Sequence, residues 1–162
     1  MHDSAYKLMQ QELTRWRNKN AKVLDVGSLD VNGNYRGLIE GNGWSYTGLD
    51  IKAGPNVDVV SHFLYSYPLN DESFDIVISG STAEHVFDLV KWINELVRIL
   101  DKGGLLIIVT HWQFPEHKYP VDCWRILPDG MEFLFDQTRC LTDYHIEKFA
   151  NGDIVGSALK KR

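Results

Sequence analysis

Two stretches hold the side chains best suited to proton transfer and substrate recognition: Glu84-His85, within STAEHV, and residues 111–130, HWQFPEHKYPVDCWRILPDG. An imidazole titrates near neutral pH, so His85 is a candidate general base, and His117 and Asp122 are further acid–base candidates. The other reading of His85 is a residue that caps or packs the following turn. His111, Tyr119, Trp124 and Arg125 are candidates for gripping a substrate, through flat aromatic faces and a guanidinium that can hold a carboxylate or phosphate at two points. Alternatively the run is a structural lid in which Arg125 pairs internally with Asp122. His111, His117 and Asp122 also have metal-ligand chemistry, but their spacing matches no recognisable site, so no metal is expected.

A second constellation lies upstream. The run VLDVGSLDVNG, residues 23–33, starts as a buried strand and breaks into a small-residue turn. Gly27 lets backbone approach a ligand closely, with Asp25 and Ser28 beside it. The next apolar run ends in Gly48-Leu49-Asp50, followed by Ile51, which sets an acidic residue where it can accept hydrogen bonds from both hydroxyls of a ribose. A dinucleotide loop needs G-x-G-x-x-G so that pyrophosphate can rest on backbone amides. Here Leu29 and Asp30 put bulk and negative charge where a diphosphate belongs. A cationic, phosphate-free nucleoside tolerates both, and S-adenosylmethionine is such a ligand.

The elements that position these residues alternate. A first helix, capped by Ser4, runs to about Asn18. Strands are expected at residues 22–26, 46–50, 57–60, 74–79 and 105–110. Helices fall at 33–42, at 88–100 with Asp88 as cap, and from Pro128 to about Gln137. Gly103-Gly104 reads as a turn into the fifth strand, and Asn151-Gly152 as a two-residue hairpin turn between strands at 141–149 and 153–160. Strand–helix alternation implies an α/β fold: a Rossmann-like, doubly wound, mostly parallel sheet between two helical layers, with an antiparallel C-terminal hairpin. One domain spans 1–162, comprising a terminal helix (1–20), a cofactor-binding core (21–137) and the hairpin (138–162). Such sheets bind ligands at the carboxyl ends of their strands.

In that order, VLDVGS, YTGLDI, FDIVISGSTAEHV and LVRILDKGGLLIIV resemble the class I S-adenosylmethionine-dependent methyltransferase family, in its small type-11-like form, over roughly residues 20–137. The resemblance implies that Gly27 lies under the methionine part of the cofactor and that Asp50 binds its ribose. It implies that His62 and Phe63 meet the adenine, and that Ser79 and Gly80 lie near the reacting methyl. The chain departs from the family pattern at Leu29, at His62 where an adenine-binding aspartate is common, and at Lys102.

A formal net charge of −5 with scattered Lys and Arg disfavours a broad nucleic-acid face. Two cysteines without metal-site spacing read as reduced thiols, and no apolar run has the length of a membrane span, so a cytoplasmic protein is expected. The leading expectation is methyl transfer to an oxygen or nitrogen of a small or medium-sized acceptor. The alternative is a non-catalytic S-adenosylmethionine-binding domain serving as a regulatory or partner subunit. A homodimer is compatible with either.

Overall fold

A computed structural model describes residues 3–162. Seven strands form one sheet: β1 (Lys22–Val26), β2 (Ser45–Asp50), β3 (Val59–Val60), β4 (Phe74–Gly80), β5 (Leu100–His111), β6 (Leu141–Lys148) and β7 (Asp153–Lys160). Their order is β3-β2-β1-β4-β5-β7-β6. The first five pair in parallel, whereas β7 runs antiparallel to both β5 and β6. The closing hairpin therefore joins the sheet through its second strand, with β6 outermost. Four residues, 149–152, link its strands rather than two.

The helices are α1 (Asp3–Leu13), α2 (Arg36–Gly41), α3 (Leu89–Ile99) and α4 (Pro128–Asp136). Side chains alternate across a pleated strand, and this alternation divides the core in two. Leu24, Val26, Val77, Leu106 and Ile108 meet α3 and α4 on one face. Val23, Ile76, Ile78, Leu105, Ile107 and Val109 meet α1 and α2 on the other. The first helix thus packs on the sheet. The central runs Ile76–Ile78 of β4 and Leu105–Val109 of β5 are apolar at every position because both faces are covered.

Gly103-Gly104 lies inside β5 instead of preceding it. The β4–β5 register slips between Phe74 and Ile76, and Gly103 takes φ +76°, so these glycines accommodate an irregularity in a longer strand. As expected, Asp88 caps α3, its Oδ1 accepting from the Lys91 amide at 3.0 Å, and Pro128 opens α4.

On the α3 side, the buried Glu95 accepts from the Tyr67 amide and from Arg98, whose guanidinium also donates to the carbonyls of Tyr67 and Leu69. Arg98 therefore ties the β3–β4 connection to α3. Replacing it with alanine strips a buried carboxylate of its counter-charge. Because the guanidinium is partly exposed, water recovers some of that loss. The expected cost is about 1–2 kcal/mol of unfolding free energy, read from a urea titration. Among the described residues no helix is long and apolar enough to cross a membrane.

Candidate active site

The carboxyl ends of β1, β2 and β4, with the segment that follows β5, surround a cavity of about 410 Å³, a size suited to a small-molecule ligand. Its floor begins at β1. Asp25 is buried, and its Oδ2 accepts from the Tyr46 hydroxyl at 2.6 Å, which in turn accepts from the Asn56 side chain at 2.7 Å. Burial pushes the Asp25 carboxyl up to about 7, against the pull of the Tyr46 hydrogen bond and with a further push from the nearby Asp50 charge. The amides of Gly27 and Ser28 both donate to the Leu49 carbonyl, at 2.8 and 3.1 Å, which bends the chain sharply. Gly27 takes φ +84°, and a Cβ there would lie 2.0 Å from Thr82 Oγ1. Only glycine lets the β1 and β4 ends come this close.

Leu29 borders the cavity and lies over Gly54, where a Cβ would come 2.4 Å from its Cδ1. Asp30 turns away from the cavity. Its Oδ2 accepts from Asn34 at 2.6 Å and its Oδ1 from the Gly33 amide at 2.7 Å, and these bonds hold its carboxyl below the ordinary range. Its charge therefore shapes the loop, and the carboxylates that line the cavity are those of Asp25 and Asp50.

At the end of β2, Asp50 accepts from the Leu29 amide on Oδ2 and the Lys52 amide on Oδ1, each at 3.1 Å. Each oxygen keeps acceptor capacity toward the cavity. Ile51 borders the cavity beside it. His62 and Phe63 lie outside the lining and are exposed; the next two residues, Leu64 and Tyr65, border the cavity instead.

At the end of β4, Gly80 lines the cavity but Ser79 does not. The Ser79 hydroxyl donates to the Val26 carbonyl at 2.7 Å, joining β1 to β4. Tyr35 and Ser81 line the cavity instead. The hydroxyl oxygens of Ser28, Tyr35 and Ser81 are buried and have no hydrogen-bond partner among the described residues. Buried polar atoms are normally paired, so three orphans around one cavity point to a ligand with polar groups of its own. Tyr35 carries no motif in the sequence and only the fold brings it here, whereas Ser81 directly follows Gly80 in the run FDIVISGSTAEHV.

The far end of the cavity is built by a 3₁₀ turn at Ala83–His85 and the segment after β5. His85, His111, His117 and Tyr119 border the cavity, and Phe114 stacks on His111 with ring centroids 4.4 Å apart. Asp122, Trp124 and Arg125 do not border it. Arg125 binds both oxygens of Asp122, at 2.6 and 2.7 Å, and donates to the Phe114 carbonyl; this pairing holds the Asp122 carboxyl well below its usual range. Asp122 also accepts from the His117 amide at 2.7 Å. Trp124 donates to the Val86 carbonyl at 2.6 Å, and the amides of Cys123 and Trp124 both reach the Glu84 carbonyl. Cys123 and Trp124 thus fasten the lid to the 3₁₀ turn, whereas Asp122 and Arg125 brace the lid internally.

The sequence and the fold have counterparts. The model of a methyltransferase domain matches residues 24–108. A 2-methyl-6-phytyl-1,4-hydroquinone methyltransferase from Synechocystis is 30% identical over 142 residues, covering 79% of this chain and 43% of that protein. Among solved structures, the YcgJ protein of Bacillus subtilis superposes with a TM-score of 0.74 at 17% identity, over 99% of this chain and 100% of that one. Phosphoethanolamine N-methyltransferase 2 of Haemonchus contortus, solved with S-adenosyl-L-methionine, gives a TM-score of 0.73 at 14% identity over 97% of this chain and 53% of that one. The chain spans less than half the length of the curated relatives it matches. With the family model matching the chain from β1 through most of β5, and a relative 30% identical over most of this chain, the chain belongs to the class I S-adenosylmethionine-dependent methyltransferase family.

Proposed function

We propose that this chain binds S-adenosylmethionine across the β1, β2 and β4 ends and transfers its methyl group to an oxygen or nitrogen of a small or medium-sized acceptor. The observation that carries the reading is the set of orphaned hydroxyls of Ser28, Tyr35 and Ser81, which lie among residues of one cavity that Asp25 and Asp50 also line. The cofactor supplies a carbon already activated by a sulfonium. The protein has to align it, balance its charge and exclude water, and alignment alone is worth roughly 7–11 kcal/mol.

Each part of the cavity then has a task. Asp25, ionised, faces the cationic end, and Gly27 gives that end room. Asp50 offers two acceptor oxygens to the ribose diol, and Ile51 with Leu64 supplies apolar surface for the base. Beyond the methyl, His85, His117, Tyr119 and Phe114 form the acceptor wall, and an imidazole of His85 or His117 is placed to take a proton from an acceptor hydroxyl or amine. The aromatic wall and the Synechocystis relative's hydroquinone favour a hydroxylated ring as the first class to try.

The test is a calorimetric titration with S-adenosylhomocysteine, followed by a screen of phenols, hydroquinones and amines for product release. Micromolar binding and turnover of one acceptor class is the expected outcome. No binding at millimolar concentration would overturn the assignment.

A further inference from the structure

At the acceptor end lies a cluster that methyl transfer does not by itself require. Glu84 is completely buried. Its Oε2 accepts from the Thr110 hydroxyl at 2.7 Å, but its Oε1 has no hydrogen-bond partner among the described residues. Three imidazoles converge on that oxygen: Nε2 of His111 at 3.6 Å, and Nε2 of His85 and of His117 each at 3.9 Å. These separations exceed hydrogen-bond lengths. They approach the ligand-to-ligand edge of a tetrahedral site, roughly 3.4 Å for bonds of about 2.0–2.1 Å. One ligand atom each from Glu84, His85 and His117 falls within 4.8 Å of the others.

The opposite ring nitrogens are already held. His85 Nδ1 meets the Val121 carbonyl, and His117 Nδ1 lies 3.2 Å from the Pro115 carbonyl. A carbonyl only accepts, so each ring donates from Nδ1, which leaves Nε2 on the Glu84 side as the atom a metal ion could take. His111 Nδ1 sits 3.1 Å from Asp153 Oδ1, so a carboxylate backs that ring in the same way. This is the outer shell that orients histidines around a metal. A buried carboxylate also calls for a cation.

We propose that Glu84, His85 and His117 bind one divalent transition-metal ion as its three protein ligands, with His111 beside the site but outside the ligand set. Nitrogen donors with a single carboxylate suit Zn²⁺, Co²⁺ or Fe²⁺, whereas Mg²⁺ and Ca²⁺ favour all-oxygen sites. His85 and His117 line the cavity, so an open coordination position faces the acceptor. A hydroxyl bound there loses its proton far more readily than in water, and the metal takes over the role otherwise given to an imidazole base. That last role rests on the methyltransferase reading; the site itself does not. The expectation of no metal came from the linear spacing of His111, His117 and Asp122. In the fold, Asp122 is committed to Arg125, and Glu84 supplies the carboxylate from another segment.

The experiment uses untagged, chelator-treated protein titrated with Zn²⁺ and Co²⁺ alone, by calorimetry and visible absorption, and then with S-adenosylhomocysteine with and without metal. One equivalent should bind at micromolar affinity or tighter, Co²⁺ should give the d–d bands of a low-coordinate nitrogen and oxygen site, and the melting temperature should rise. His117→Ala, on a partly exposed ring, should weaken binding at least tenfold while the protein still unfolds cooperatively; His85→Gln should do the same. A wild-type protein that takes up no metal, or a His117→Ala variant that binds as tightly as wild type, overturns the site. Metal uptake without S-adenosylhomocysteine binding upholds the site and overturns the methyltransferase reading. The converse result overturns only the site.

Discussion

An Asp50→Ala variant should bind S-adenosylhomocysteine about a hundredfold more weakly than the wild type by isothermal titration calorimetry. A ribose diol gives Asp50 two hydrogen bonds to a charged acceptor, each worth about 1.5–3 kcal/mol. Water recovers part of that loss, and a hundredfold weakening corresponds to about 2.7 kcal/mol. The carboxylate also accepts from the amides of Leu29 and Lys52, so its removal loosens the loop that faces the ligand. Asp50→Asn keeps one acceptor oxygen and should recover about tenfold of the deficit. His62→Ala, outside the cavity, should change affinity less than twofold. An Asp50→Ala protein that binds at wild-type strength would remove the ribose assignment.

Cofactor affinity should fall about twentyfold as pH drops from about 7.5 to 5.5. The cause is Asp25, whose carboxyl is pushed up to about 7 by burial. A cationic ligand prefers the ionised form, so binding must first displace a proton over this window, and the size of the effect follows from the fraction ionised at each pH. Linkage in the ligand-free protein runs the same way. Below about 3.8 the group is protonated in both the folded and unfolded chain. Between about 3.8 and 7 the unfolded chain releases the proton while the folded one keeps it. Stability from this group is therefore greatest at low pH, falls as pH rises through that window, and is flat above about 7. The whole penalty is at most about 4 kcal/mol. Asp25→Asn should flatten both profiles, in calorimetry and in urea titrations at fixed pH values. A titration of the wild type that is level from pH 5.5 to 7.5 would show that Asp25 does not face the cation.

The architecture was legible because both faces of the parallel strands are covered. That makes Ile76–Ile78 and Leu105–Val109 continuously apolar, and the alternation of such runs with polar helical stretches leaves few topologies. Gly27 and Asp50 were legible for a related reason: a close backbone approach and a strand-end carboxylate are local requirements, visible within a few residues. Ser79 was not, because its parity on the pleat turns the hydroxyl toward the Val26 carbonyl. His62 and Phe63 gave way to Leu64 and Tyr65 because β3 is only two residues long, and no period marks where the chain turns inward after it. Arg125 and Asp122 were open between a substrate clamp and an internal pair. The fold settles them as the pair, since both carboxylate oxygens are taken by the guanidinium. The grouping of Glu84 with His117 is not local at all, and only the docking of the lid on the 3₁₀ turn creates it.

The placement of β7 between β5 and β6 has a consequence for how the molecule comes into being. During vectorial synthesis β6 leaves the ribosome before β7, yet β7 is its sole neighbour in the sheet. Until β7 emerges and inserts, β5 presents a bare row of amides and carbonyls, and β6 has nowhere to go. A chain truncated after Lys148 and released should therefore expose an adhesive sheet border and recruit chaperones, whereas one released after Lys160 should not.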